Sequence, residues 1–404
     1  MSIPRSEQGV EPGTPGEVFR VFLKLGLTSF GGPIAHLGYF RAELVRRRQW
    51  VTEELFAQLV AVCQILPGPA SSQLGFSLGV LRAGWLGGVA AFAAFTLPSA
   101  LLLVGAALAL PLASSGVAGA LIHGLKLTAF AVVADAVMGM SKQLCPDTPR
   151  RAIAVLAAAW LLLSPAALAQ LAVVAVAALV GALFLRGASR SNDTGGVHLP
   201  FGRASGAILL FAFIAILLVL ALFAGTDSNL VGLAAAFYRS GALVFGGGHV
   251  VLPLLQQAVV SPGWASQDQF LAGYGLAQAI PGPLFALAAY LGAVAARGHD
   301  ALLFATVALL ALFLPGLLLV AGVLPYWRTL ARSQRAISGI AAINAAVVGL
   351  LGAALYDPIF ISGVSNGGDM AIVSIGTALL RVWRMPPLAV VAWCSVASVA
   401  RASL

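Results

Sequence analysis

From about residue 18 onward the chain alternates long apolar runs with short polar joints. The runs 84–110, 116–141, 204–224 and 299–325 are uninterrupted enough to cross a bilayer, since a helix needs about 20 apolar residues to span roughly 30 Å of hydrocarbon. Shorter apolar stretches fill the intervals at 53–66, 70–81, 151–163, 168–186, 370–383 and 387–401. The pattern predicts an all-α polytopic membrane protein with about twelve to thirteen apolar segments by the spanning-length rule. Composition agrees: 60% of the 404 residues are apolar and 9% charged, against roughly 25% charged in a soluble domain.

The net charge of +9 does not point to nucleic acid. Of the 23 cations 20 are Arg, and most lie in short connections between apolar runs, which is a topology signal. Residues 1–17 carry Glu7, Glu11 and Glu17 and read as a polar tail, with no basic start running into an apolar stretch. No cleavable signal is expected, and the N-terminus is assigned to the cytoplasm. Cys63, Cys145 and Cys394 are scattered, with no CxxC or Cys/His cluster, so neither disulfide, metal nor other cofactor is expected.

The chain repeats itself. Lys24, Gly26 and Phe30-Gly31-Gly32 recur 215 positions on as Arg239, Gly241 and Phe245-Gly246-Gly247. Trp50, Phe56, Gln64 and Pro67-Gly68-Pro69 recur 214 positions on as Trp264, Phe270, Gln278 and Pro281-Gly282-Pro283. Pro98 aligns with Pro315 and Lys126 with Asn344. The division that follows is a first repeat at 18–186, a linker plus connecting helix at 187–228, and a second repeat at 229–404.

Cytoplasmic loops carry the excess of Lys and Arg. Arg41 and Arg46 to Arg48 in the first repeat answer to an uncharged 256–262, and Lys142, Arg150 and Arg151 to a segment holding only Asp357 and Asp369. In reverse, Arg328, Arg332 and Arg335 answer to an uncharged 111–117, and Arg381 with Arg384 to Ser164-Pro165. The two repeats are therefore expected to be inverted, a plan common in secondary transporters. Parity then requires 53–82 to make no net crossing, so its two short arms form a re-entrant hairpin turning at Pro67-Gly68-Pro69.

Broken backbone at membrane depth persists only where protein or a watery cavity satisfies it. After each Pro-Gly-Pro a half-helix starts, and its unpaired N–H groups suit an anion. Ser71 and Ser72 add hydroxyls there in the first repeat, where the second has Leu284 and Phe285. The alternative is that the turns only shape packing. Phe30-Gly31-Gly32 and Phe245-Gly246-Gly247 are a second pair of breaks, open also to a role in close helix contact. Lys24 and Arg239 lie in apolar surroundings; pointing inward they supply two positive charges, and pointing outward they reach the headgroups. Gln64 and Gln278 either donate to a ligand or glue helices. His36 and His249 flank the glycine turns without aligning with each other and read rather as structural histidines, with His249 kept as a candidate for substrate binding. Asn344 either donates or bridges. Lys126 and Asp135 are expected to form an ion pair, the alternative being a coupling proton on Asp135.

The Phe-Gly-Gly-Pro-Ile-Ala-His run at 30–36, Phe-Gly-Gly-Gly-His at 245–249, and the Gln-x-x-Pro-Gly-Pro motifs at 64–69 and 278–283 together resemble the chromate ion transporter family, in its two-domain form. The resemblance implies a bacterial inner-membrane carrier that expels chromate and confers resistance, with sulfate as a structural mimic. Membrane lipids, and with them a second copy in a homodimer, are the other partners left open. A passive anion channel, or an uptake carrier for sulfate or another oxyanion, is the alternative. An enzyme is not expected, because the sequence has no HExxH and no Ser/His/Asp set that can be placed together with a G-x-S-x-G.

Overall fold

The first repeat begins with a helix that its own sequence caps and breaks. In a computed structural model describing residues 13–109, 116–164, 167–185, 201–222, 230–245, 248–296 and 300–402, every regular element is helical. The Thr14 hydroxyl accepts from the Glu17 N–H and Pro15 occupies the first turn of α1 (Pro15–Thr28), both of which favour a helix start. Gly31, at a φ of 98°, then redirects the chain into α2 (Gly32–Phe40), which runs on into a π-helical turn over Arg41–Arg47. Within that turn burial raises the Glu43 pKa, but hydrogen bonds from Arg48 and Arg47 outweigh it and hold the carboxyl below its ordinary range.

Thr52 caps α3 (Glu53–Ile65), and α4 (Ala70–Ala109) follows the Pro-Gly-Pro turn. Non-helical dihedrals at Ala83 and Gly84 split α4 into a short arm and a long one. The short arm 70–82 is about 20 Å long at 1.5 Å per residue, less than a bilayer crossing and the length required of a hairpin arm. Three helices complete the first half: α5 (Gly116–Leu144), α6 (Thr148–Leu163) and α7 (Ala167–Phe184). The connecting helix α8 (Arg203–Ala221) buries only Gly206, as a lipid-facing helix would.

The second half repeats the order, with α9 (Leu230–Ala242), α10 (Val251–Val259), α11 (Gln267–Ala279), α12 (Leu287–Ala295) and α13 (Ala301–Val323). After the short α14 (Trp327–Arg332) come α15 (Gln334–Ala354), α16 (Ile361–Gly363), α17 (Gly367–Arg381) and α18 (Pro387–Ala402). Among the described residues, five stretches are long and apolar enough to cross a membrane: Ala70–Ala109, Gly119–Leu144, Arg203–Ala221, Ala301–Tyr326 and Gln334–Gly363. The chain is a multi-pass membrane protein.

Packing exchanges elements between the halves. Helix α5 of the first half lies along α11, α17 and α18 of the second, while α15 of the second lies along α6 and α7 of the first. The start of the first half has its own core, where Phe22 meets Phe40 edge-on at 5.4 Å and Phe40 meets Phe95 at 5.2 Å. That core also takes in Val320 and Ala321 from α13 and Leu324 from the turn that follows it. The two halves thus interlock instead of packing as separate bundles.

Candidate functional site

Each Pro-Gly-Pro turn closes on the broken helix of the opposite half. The Gly68 N–H donates to the Val244 carbonyl at 2.7 Å, and the Gly282 N–H donates to the Ser29 carbonyl at 3.0 Å. Ser29 and Val244 are the residues just before Phe30 and Phe245, so the two bonds are counterparts under the sequence repeat. Their chemistry is forced by the motif. Proline has no N–H, which leaves the central glycine as the only donor in the turn. A carbonyl beyond a helix end must find a donor away from water. Both glycines take positive φ, 122° and 105°, a conformation that side chains disfavour.

The helices behind the turns follow the same reciprocity. A Cβ on Gly68 would lie 2.9 Å from the Gly316 Cα, one residue after Pro315; a Cβ on Gly282 would lie 2.9 Å from the Ser99 Oγ, one residue after Pro98. Four of the segments singled out in the sequence therefore come together in two crossed pairs. Pro67, Gly68, Pro69, Gly282 and Pro283 are buried, while Phe30, Gly32, Phe245 and Pro281 are half-buried and Gly31 is exposed. Gly246 and Gly247 lie outside the described residues.

A buried polar network surrounds the junction of Gly282 with Ser29. His36 has its Nε2 3.2 Å from the Ser29 carbonyl oxygen and its Nδ1 3.3 Å from the Ser71 Oγ. A carbonyl only accepts, so Nε2 carries the proton and Nδ1 accepts from the Ser71 hydroxyl. The imidazole edge packs on Phe95 at 5.3 Å. Gln73 donates from Nε2 to the carbonyls of Pro67 and Gly316 at 2.8 and 2.9 Å, tying the start of the 70–82 arm to α13. Ser99 donates to the Thr96 carbonyl at 2.9 Å. Ser71 and Ser72 are both buried in the first turn after Pro69. Among the described residues, the hydroxyls of Ser29, Ser72 and Thr96 are buried without a hydrogen-bond partner.

Other candidates fall elsewhere. Lys24 and Arg239 are exposed and contribute no charge to the buried network. Helix α1 buries Val18, Val21, Phe22, Leu25 and Gly26, and Lys24 sits about 100° around the helix from Leu25. It shares a polar stripe with Glu17, Arg20 and Thr28. Gln64 is exposed; Gln278 is half-buried, and among the described residues its Nε2 and the Asn344 Oδ1 have no partner. His249 is 2.7 Å from the Tyr274 hydroxyl through Nδ1.

Lys126 and Asp135 are not paired with each other. Lys126 binds Asp268 at 2.8 Å and Asp135 faces Arg381 at 3.4 Å. Nine residues turn a helix by about 180°, which places the two side chains on opposite faces of α5. Thr96 and Ser29 gave no motif signal. His36 differed from its repeat counterpart Val251, and that contrast was its one sequence clue.

A family model described as "Chromate transporter" matches the chain twice, at residues 16–183 and 231–399. The chain is 29% identical to a probable chromate transport protein of Synechococcus elongatus, over 91% of this chain and 90% of the relative. It is 28% identical to a chromate transport protein of Pseudomonas aeruginosa, over 91% and 87%. A third relative, a chromate transport protein of Cupriavidus metallidurans, is 29% identical over 89% and 84%. No solved structure matches the chain. With the model matching both halves, this chain belongs to the chromate transporter family.

Proposed function

We propose that this chain is a bacterial inner-membrane secondary carrier that exports chromate, with sulfate as a competing mimic, and so confers chromate resistance. The observation that carries the proposal is the crossing of the two Pro-Gly-Pro turns onto the opposite half's helix breaks. It gathers two ends of interrupted helix, with buried hydroxyls beside one of them, in a single place between the repeats. Free N–H groups at a helix start favour an oxyanion. The three relatives, chromate transport proteins, supply the substrate.

Carrier action is favoured by a difference between the two hairpins. Helix α11 is buried from Phe270 through Gly275 and again at Ala277, against α5 and α18, with the Lys126–Asp268 pair across it. Its counterpart α3 buries only Phe56, Leu59, Val62 and Cys63, mainly on α4. Glu54, the counterpart of Asp268, is exposed, and Asn344, the counterpart of Lys126, has an unpartnered oxygen. Docking α3 on α15 while α11 leaves α5 would exchange the two arrangements, as inverted repeats permit. The complementary charges of equivalent loops support that inversion.

Export of a dianion from a cell that is negative inside is driven by roughly 2.3 kcal/mol per charge per 100 mV. Sulfate counter-transport tests the carrier. In proteoliposomes, sulfate on the far side is expected to accelerate chromate uptake, which then saturates; uptake that is linear in chromate and indifferent to trans sulfate would instead indicate a channel.

A further inference from the structure

The two halves share a backbone plan around the crossing but not its chemistry. Ser29, His36, Ser71, Ser72, Thr96 and Ser99 are buried in the first half. Their repeat counterparts are Val244, Val251, Phe285, Ala286, Phe313 and Gly316, none with a polar side chain. The second half is thus a built-in control, since the same turn, half-helix and long helix pack with apolar residues alone. The hydroxyls are not a requirement of the fold.

Three of those hydroxyls also carry a penalty. Ser29 Oγ, Ser72 Oγ and Thr96 Oγ1 have no partner among the described residues, and buried polar groups are ordinarily satisfied. Ser72 lies in the first turn of the 70–82 arm, and a helix start leaves its first backbone N–H groups without intrahelical partners. Ser29 offers its carbonyl to both Gly282 and His36, and Thr96 follows Phe95, whose ring packs on His36. The Ser71 hydroxyl is committed to His36 Nδ1, as derived above. The three residues with unpaired hydroxyls thus adjoin one cluster centred on His36: the Ser29 carbonyl meets its ring, Ser72 follows Ser71, and Thr96 follows Phe95.

We infer that the oxyanion is bound by the first half alone, through the hydroxyls of Ser29, Ser72 and Thr96 and the N–H groups opening the 70–82 arm. In this arrangement His36 is a positioning residue. It fixes Ser29 from one ring nitrogen and Ser71 from the other, and it leaves the neighbouring hydroxyls free to donate. The second half contributes scaffold at this point, through Gly282. Neutral donors of this kind suit a ligand bearing several oxygens. The inference rests on the oxyanion-transport proposal and names which half holds the ligand.

The test uses full-length protein, chromate as the probe, and two readouts: the thermal unfolding midpoint with and without chromate, and chromate uptake by inside-out vesicles. Ser72→Ala and Thr96→Val are expected to keep or raise the ligand-free midpoint, because each removes an unpartnered buried hydroxyl. Each is expected to lose the chromate-induced rise and to raise the KM about tenfold or more. Thr96→Ser, which keeps the hydroxyl, should retain both responses, so a folding defect in Thr96→Val alone does not mask the result. Ser240→Ala, which removes a hydroxyl bonded within α9, should behave as wild type toward chromate. Variants with a wild-type KM and a wild-type chromate shift would overturn the assignment while leaving transport intact. A wild-type protein that neither shifts with chromate nor takes it up would overturn the transport proposal and this inference together.

Discussion

Gly68 and Val244 are joined across the repeat boundary by a 2.7 Å hydrogen bond, and the same bond recurs between Gly282 and Ser29 at 3.0 Å. Two short turns thereby hold four broken helix ends in register. Substitution at these glycines should be far costlier than at glycines in open space. Gly68→Ala combines a positive φ, worth roughly 1–2 kcal/mol, with a Cβ 2.9 Å from the Gly316 Cα. The expected loss is about 2 kcal/mol or more, read as a lowered unfolding midpoint. Gly38→Ala, with nothing within 4 Å of its added Cβ, should cost little.

The Lys126–Asp268 pair joins α5 to α11 at 2.8 Å with Asp268 well exposed. Exposed pairs are worth about 0–1 kcal/mol, so Asp268→Asn should loosen α11 modestly. The expected outcome is a two- to fivefold change in transport rate, about what such an energy implies, without loss of folded protein. The charge-swapped double variant Lys126→Asp with Asp268→Lys should recover much of the wild-type rate.

Asp369 should matter more for stability. Its carboxylate is buried, faces His123 at 3.0 Å and Arg401 at 2.7 Å, and accepts from the Ser365 N–H at 2.9 Å. These contacts tie α17 to α5 and α18. Removing one partner of a buried network leaves the others unsatisfied, at a cost of about 2–4 kcal/mol. Asp369→Ala is expected to lower the unfolding midpoint and detergent-solubilised yield, and Asp369→Asn to lower them less.

Lys24 is exposed on a polar stripe of α1, one turn before Thr28 and the Phe30-Gly31-Gly32 break. A cation so placed attracts an anion at long range and is screened by salt. Lys24→Gln should therefore reduce chromate uptake most at low ionic strength, with membrane insertion unchanged. Equal rates for variant and wild type at every salt concentration would remove Lys24 from the path.

Much of this architecture was legible in the sequence because lipid imposes simple rules. The long runs became the spanning helices, and the break between 81 and 84 became the Ala83–Gly84 kink. The Pro-Gly-Pro turns were visible as repeated motifs because few other sequences interrupt a helix so firmly. Which helix break each turn would seal was not visible, since that depends on how the halves cross. The exchange of α5 and α15 between halves was hidden for the same reason. Lys126 and Asp135 show a limit of proximity along the chain. Nine residues look close on paper, yet the helix turned them apart and gave each a partner from the other half. Lys24 shows another: an apolar neighbourhood in sequence did not amount to burial. His36 looked like a core histidine, and only its contacts to Ser29 and Ser71 placed it in the polar network.

The central claim, that this crossing carries chromate outward, is tested most directly by labelled chromate uptake into inside-out vesicles with an imposed potential. Vesicles bearing the protein should show saturable uptake that rises when the lumen is made positive and falls when sulfate competes. Uptake no faster than in vesicles lacking the protein, at either polarity, would contradict it.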